Sequence, residues 1–181
     1  MGFKDSKTPK TIPFSFGNPN VLITKGLIHY YKDEKDADLS KLENIKTLCM
    51  IEIPTTFTIH NLLYFLRCEN NHIESVTVLS DSLPESYMVL LTFENVKYMK
   101  SFYKKNNTQD LNGFIVAKCQ LIFISKIDIY RKSDESQSLL NFVEFPTCPV
   151  CLEKWKNDTI LRIICNHTFH SNCLRKWKDL T

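Results

Sequence analysis

Between residues 45 and 130 the apolar positions switch back and forth between two periods. Thr47 to Ile53 is a short apolar run stopped by Pro54, the pattern of a buried strand of about five to six residues. Thr58 has a side chain suited to cap a helix, and Ile59, Leu62, Leu63, Phe65 and Leu66 follow at helical spacing up to Cys68. Ile73 to Leu79 predicts a second strand and Tyr87 to Phe93 a third. Val96, Met99, Phe102 and Tyr103 predict a second helix over Asn95 to Lys105, ended by Asn106-Asn107. Phe114 to Ile129 closes the stretch as an apolar strand or hairpin.

The order β-α-β-β-α-β predicts an α+β, ferredoxin-like unit, one antiparallel sheet with both helices on one face. RNA-recognition modules use this fold and stack bases on exposed rings of the first and third strands. Here Cys49, Met88 and Leu90 occupy those positions, which argues against sequence-specific RNA binding. Lysines do alternate with aromatics from Lys97 to Lys105, but on a helix that pattern puts lysines outward and rings in the core. Residues 1–44 read as a polar tail and then an extended segment from Phe14 to Tyr31, turned at Gly17-Asn18-Pro19 and followed by a charged loop from Lys32 to Asp36. Residues 45–131 form the expected sheet domain, 132–147 a linker that is polar from Ser133 to Asn141, and 148–181 a separate cysteine- and histidine-rich module.

Composition narrows the function. A chain of 181 residues with 43% hydrophobic and 12% aromatic residues can fold one ordinary domain and a small appendage. A formal charge of +3 does not by itself point to nucleic acid or a membrane surface. No apolar run approaches the roughly 20 residues needed to span a bilayer, so no membrane partner is expected. Met1 to Thr11 carries charges and no apolar stretch, unlike a secretory signal. Four of seven cysteines cluster near the end, while Cys49, Cys68 and Cys119 stand singly in apolar surroundings. Metal-binding and buried thiols of this kind favour a reducing, cytoplasmic location over a disulfide framework. With four glycines there is no phosphate loop, and His29, His60 and His72 have no second ligand at metal spacing.

The cluster itself is Cys148, Cys151, Cys165, His167, His170 and Cys173, spaced C-x2-C-x13-C-x-H-x2-H-x2-C. Zinc binds thiolates and imidazoles in tetrahedral sets of four, so six ligands suit neither one site nor two. A linear reading groups Cys148, Cys151, Cys165 and His167. A crossed reading groups Cys148, Cys151, His170 and Cys173 and leaves Cys165 and His167 as half of a second site.

Cys148-Pro149-Val150-Cys151-Leu152-Glu153, followed by Cys165-Asn166-His167-Thr168-Phe169-His170-Ser171-Asn172-Cys173-Leu174-Arg175-Lys176-Trp177, resembles a RING finger of the two-histidine type. That family uses the crossed arrangement and completes its second site with another C-x2-C pair, so this finger is expected to be incomplete. Further motifs run upstream: Phe16-Gly17-Asn18-Pro19, Gly26-Leu27-Ile28-His29-Tyr30-Tyr31, Ile53-Pro54-Thr55-Thr56-Phe57-Thr58, Tyr87-Met88-Val89-Leu90-Leu91-Thr92-Phe93 and Phe145-Pro146-Thr147. In this order they are similar to the BRAP family, the BRCA-associated RING ligases with ethanol-tolerance relatives in yeasts. The resemblance runs from about Phe14 to Trp177 and implies the N-terminal portion of a longer protein, cut within its RING finger.

That resemblance implies zinc as cofactor and ubiquitin-protein ligase activity. A ubiquitin-conjugating enzyme, ubiquitin and substrate proteins would be partners, with Val150, Leu152 and Trp177 contacting the conjugating enzyme. No residue of the chain is expected to be catalytic in its own right. The alternative it carries is a non-catalytic cytoplasmic scaffold that retains nuclear-localisation-signal peptides.

Overall fold

The computed structural model describes residues 10–18, 20, 22–31, 46–67, 72–111, 117–130, 147–155 and 159–176. The strands are β1 (Lys10–Asn18), β2 (Leu22–Tyr31), β3 (Thr47–Pro54), β4 (Ile73–Ser80), β5 (Ser86–Phe93), β6 (Gln120–Tyr130), β7 (Ile160–Arg162) and β8 (Thr168–His170). The helices are α1 (Ile59–Leu66), α2 (Val96–Asn106) and α3 (Ser171–Lys176). The tail before Lys10, the charged stretch 32–36, Cys68, residues 132–146 of the linker and Trp177 lie outside the described residues.

The strands form one sheet in the order β1-β2-β6-β3-β5-β4-β7-β8, and Ser15 of β1 also pairs with Ser80 of β4. The first six strands, antiparallel throughout, thereby close into a barrel. The ferredoxin-like expectation is therefore corrected. The chain follows strand, helix, strand, strand, helix, strand over Thr47–Tyr130, but the sheet is a closed six-stranded barrel rather than a four-stranded layer with one free face. The difference comes from residues 10–31, expected as a tail and an extended segment. They form β1 and β2, paired from Lys10↔Tyr30 to Asn18↔Leu22, and β2 joins the edge of β6.

Two cores show why the sheet closes. Leu48, Met50 and Ile53 of β3, Val89 and Leu91 of β5, and Leu121 and Phe123 of β6 face α1 and α2, which contribute Leu62, Leu63, Leu66, Met99 and Phe102. The intervening residues Cys49, Ile51, Met88, Ile122 and Ile124 face the other way and pack with Phe14, Ile28, Tyr30 and Leu79. Strands apolar on both faces need a cover on each, and the β1–β2 hairpin supplies the second. Cys49, Met88 and Leu90, at the positions where an RNA-recognition module would offer rings, are thus part of the barrel interior.

Both long helices are capped by side chains. Thr58 Oγ1 accepts from the Asn61 amide at 3.3 Å, and Asn95 Oδ1 from the Tyr98 amide at 3.1 Å. Phe65 of α1 meets Phe102 of α2 edge to face with ring centroids 6.5 Å apart, so the two helices lie side by side on the barrel.

The zinc-binding module is built onto this barrel. β7 pairs parallel with β4 through Ser75↔Ile160, Val76↔Leu161 and Thr77↔Arg162, and β8 continues the sheet beyond it. Leu161 is fully buried in the helix-side core, and Ile163 and Leu174 pack against that core. Gly17, at φ +119 near the turn of the β1–β2 hairpin, donates its amide to the Ile164 carbonyl at 2.7 Å.

Candidate metal centre

Two tight turns, a hairpin strand and a short helix position the six candidate ligands. In the first turn the Cys148 amide donates to the Glu153 carbonyl at 2.9 Å and the Leu152 amide to the Cys148 carbonyl at 2.7 Å, beneath an isolated Thr147↔Lys154 bridge. The turn requires Leu152 in the left-handed region, at φ 63. The second turn sits between β7 and β8. There the Asn166 amide donates to the Ile163 carbonyl at 2.8 Å, the Ile163 amide to the His167 carbonyl at 3.0 Å, and Asn166 takes φ 72. β8 ends at His170, and α3 places Cys173 three residues later on the side of the first turn.

The ligand atoms of Cys148, Cys151, His170 and Cys173 all lie within 4.8 Å of one another. His170 Nδ1 stands 3.3 Å from Cys151 Sγ and 3.8 Å from Cys173 Sγ, and the His170 amide donates to Cys148 Sγ at 3.5 Å. A tetrahedral zinc with bonds of about 2.3 Å to sulfur and about 2.0–2.1 Å to nitrogen holds its ligand atoms roughly 3.5–3.8 Å apart. Three thiolates and one imidazole at these separations fit zinc, and the set is the crossed one. Cys165 Sγ and His167 Nδ1 are 2.9 Å apart at the second turn, and among the described residues they join no group of three or more candidate ligands.

The electrostatics of the four-ligand set favour a cation at its centre. Burial pushes the Cys148 thiol up, but the amides of His170, Cys151 and Val150 and the Cys151 side chain outweigh it and bring the thiol down to about 6. Burial and then the neighbouring Cys151 and Cys148 sulfurs push Cys173 up to about 12. One thiol ionises readily and the next resists, as expected for crowded anions, and a bound dication removes that opposition by stabilising every thiolate together. His170 Nε2 is buried with no hydrogen-bond partner, and the Trp155 ring stands edge to face against the imidazole at 4.9 Å.

Other residues emerge only from the structure. The Thr159 hydroxyl donates to the Ile73 carbonyl at 2.7 Å, and its own carbonyl accepts from the Ser171 amide at 2.8 Å, so one buried threonine joins barrel, hairpin and ligand helix. Trp155 and Thr159 lack a metal-ligand signature, and only the apolar Ile160-Leu161 beside Thr159 hinted at a buried strand. His29 pairs with Asp128 at 2.8 Å, His72 stacks on Tyr98 at 3.6 Å, and His60 is exposed on α1. None of the three belongs to a metal-ligand group among the described residues.

Residues 146–181 match the family described as Ring finger domain, and residues 40–137 match that described as BRCA1-associated protein 2. The chain is 36% identical over 177 residues to mouse BRCA1-associated protein and 35% identical to the human one, covering 96% of this chain and 30% of each relative. It is 29% identical over 184 residues to BRAP2 RING ZnF UBP domain-containing protein 2 of Arabidopsis thaliana, covering 94% of this chain and 38% of that protein. The chain therefore spans about a third of the length of these curated relatives. No solved structure matches it. With a RING finger whose Cys/His cluster can bind zinc and a BRCA1-associated protein 2 match over residues 40–137, the chain belongs to the BRCA1-associated protein 2 family.

Proposed function

We propose that the chain is the recruiting portion of a RING-type ubiquitin-protein ligase, binding a ubiquitin-conjugating enzyme and bringing its thioester-linked ubiquitin to a substrate lysine. The observation that carries this reading is Leu152. Its side chain is 77% exposed beside the metal ligands, and its backbone is in the left-handed region. Leaving a leucine in water forfeits about 1.5–3 kcal/mol of burial, and the left-handed backbone costs about 1–2 kcal/mol more. Val150, 41% exposed, accompanies it on the same turn. An apolar pair presented on a turn anchored by metal suits a docking surface, and a partner covering it offsets the cost.

The chemistry asks for no nucleophile, acid or base from this chain. A conjugating enzyme already carries the activated ubiquitin, so rate is gained by holding the thioester and the acceptor lysine in a productive arrangement. Zinc, when bound, supplies rigidity rather than Lewis-acid chemistry, with all four positions of its site taken by protein ligands. Val150 and Leu152 then form the contact, joined by Trp177 from beyond the described residues. The barrel, locked to the finger through β4 and β7, acts as the arm that carries a partner or substrate.

Autoubiquitination tests this reading, using the full-length protein that contains this chain and a panel of conjugating enzymes. The parent protein is expected to form ubiquitin conjugates, and Val150→Ala with Leu152→Ala to lose at least about tenfold of that activity while still binding zinc. Inactivity of the full-length protein across the panel, or full activity of the double variant, would count against the ligase reading.

A further inference from the structure

The three helices segregate charge. α1 reads IHNLLYFL, α2 VKYMKSFYKKN and α3 SNCLRK, with no aspartate or glutamate among them, although the chain contains 20 acidic residues. They carry Lys97, Lys100, Lys104, Lys105, Arg175 and Lys176, and Arg67 caps the end of α1. The helices also lie together. α1 and α2 cover the outer face of the barrel, α3 packs beside α1, and Leu174 of α3 reaches the same core. The charges carried by the helices themselves are therefore all positive, with Glu94, paired with His72, standing just before the cap of α2.

Local stability does not account for the arrangement on α2. Lys104 and Lys105 sit in the last turn, where cations complement the helix dipole, but Lys97 sits in the first turn, where a cation opposes it. Lys97, Lys100 and Lys104 follow one another at spacings of three and four residues, so they form a single outward row in which like charges repel. Among the described residues none of the three forms an ion pair that would relieve this. Val96, Lys97, Lys100, Ser101 and Lys104 border a shallow open depression along the row.

From this charge pattern we infer that the helical face, centred on Lys97, Lys100 and Lys104 of α2, is a docking surface for an acidic polypeptide segment. Charge complementarity selects the partner. The row is lysine, a flexible point charge, rather than arginine forks suited to grip phosphate in two places. Base stacking has no platform, since the sheet face that would offer one is sealed inside the barrel. A basic peptide, such as a nuclear localisation signal, is repelled by this face. The surface is distinct from the exposed turn at Val150 and Leu152 and does not depend on ubiquitin transfer.

The test measures fluorescence anisotropy of a labelled ten-residue polyglutamate peptide with the zinc-loaded chain. Binding is expected at about 50 mM salt and is expected to weaken as salt rises to about 300 mM, because the screening length shrinks. Lys97→Glu, Lys100→Glu and Lys104→Glu together should weaken binding about tenfold or more. The same charge change made at Lys10, Lys25 and Lys126, exposed positions on strands β1, β2 and β6, should leave it nearly unchanged. Glutamate at position 97 favours the helix dipole and glutamate at 104 opposes it, so the two effects offset and the α2 variant is expected to keep its zinc content and its melting temperature. Absence of peptide binding at low salt, equal loss in both triple variants, or tighter binding of a labelled 20-nucleotide RNA than of the peptide would each overturn the inference.

Discussion

The Thr159 hydroxyl donates to the Ile73 carbonyl at 2.7 Å, a buried bond between residues 86 positions apart. It stands at the start of the parallel β4–β7 pairing and ties the finger to the barrel where the ligand-bearing hairpin begins. Thr159→Val keeps the shape and leaves the Ile73 carbonyl buried without this donor, a loss of about 1–3 kcal/mol. Thermal unfolding should shift down by several degrees, with barrel and finger melting together. A melt within error of the parent would show that the bond contributes nothing to the junction.

Metal removal should be felt in the barrel through the same pairing. Structural zinc supplies about 10–16 kcal/mol of apparent folding free energy in small fingers, and here His170 lies one strand from β7 and two from β4. Chelation is expected to raise amide exchange at Ser75–Thr77 by about tenfold or more, with little change at Leu48–Met50 of β3, which lies between β5 and β6. Exchange at Ser75–Thr77 that ignores the chelator would mean the two parts are merely adjacent.

Gly26 of β2 leaves no room for a side chain. It pairs with Phe14, and a Cβ at this position would fall 2.3 Å from the Asp128 carbonyl oxygen and 2.5 Å from the Phe14 ring. Replacing glycine by alanine at an unstrained site typically stabilises a protein by about 0.4–1 kcal/mol. Here the contact with backbone reverses the sign, and Gly26→Ala is expected to destabilise by about 1–3 kcal/mol in urea unfolding. An unchanged or higher midpoint would argue against the close approach of Phe14 over β2.

The residues that made the site legible are those whose chemistry is local. Cys148-x2-Cys151 and His170-x2-Cys173 announce themselves by spacing, and Thr58 marks a helix start because capping needs only a few neighbouring residues. Closure of the sheet depended on Phe14 meeting Gly26 and Ser15 meeting Ser80, contacts that no periodic pattern spells out. A clue was nevertheless present. Cys49 and Ile51 alternate with Leu48 and Met50, so both faces of β3 are apolar, and a sheet with one free face would have left half of them in water. Docking of the finger was hidden for a different reason, since a three-residue strand such as Ile160–Arg162 is too short to carry a period.

Zinc affinity should fall with acid, in two regimes. At neutral pH Cys173, with its thiol raised to about 12, must release a proton to bind, which alone weakens binding about tenfold per unit of falling pH. Below about 6, Cys148 also holds a proton in the metal-free protein, and the dependence steepens. Competition with a chelator between about pH 5 and pH 8 measures the slope. A flat profile would contradict binding through these thiols.

Metal content, read by native mass spectrometry, tests most directly that Cys148, Cys151, His170 and Cys173 form the zinc site. The account predicts one zinc per chain, retained when Cys165 and His167 are both changed to alanine and lost with Cys148→Ala or His170→Ala. Loss of zinc in the Cys165→Ala, His167→Ala protein, or its retention in Cys148→Ala, would contradict it.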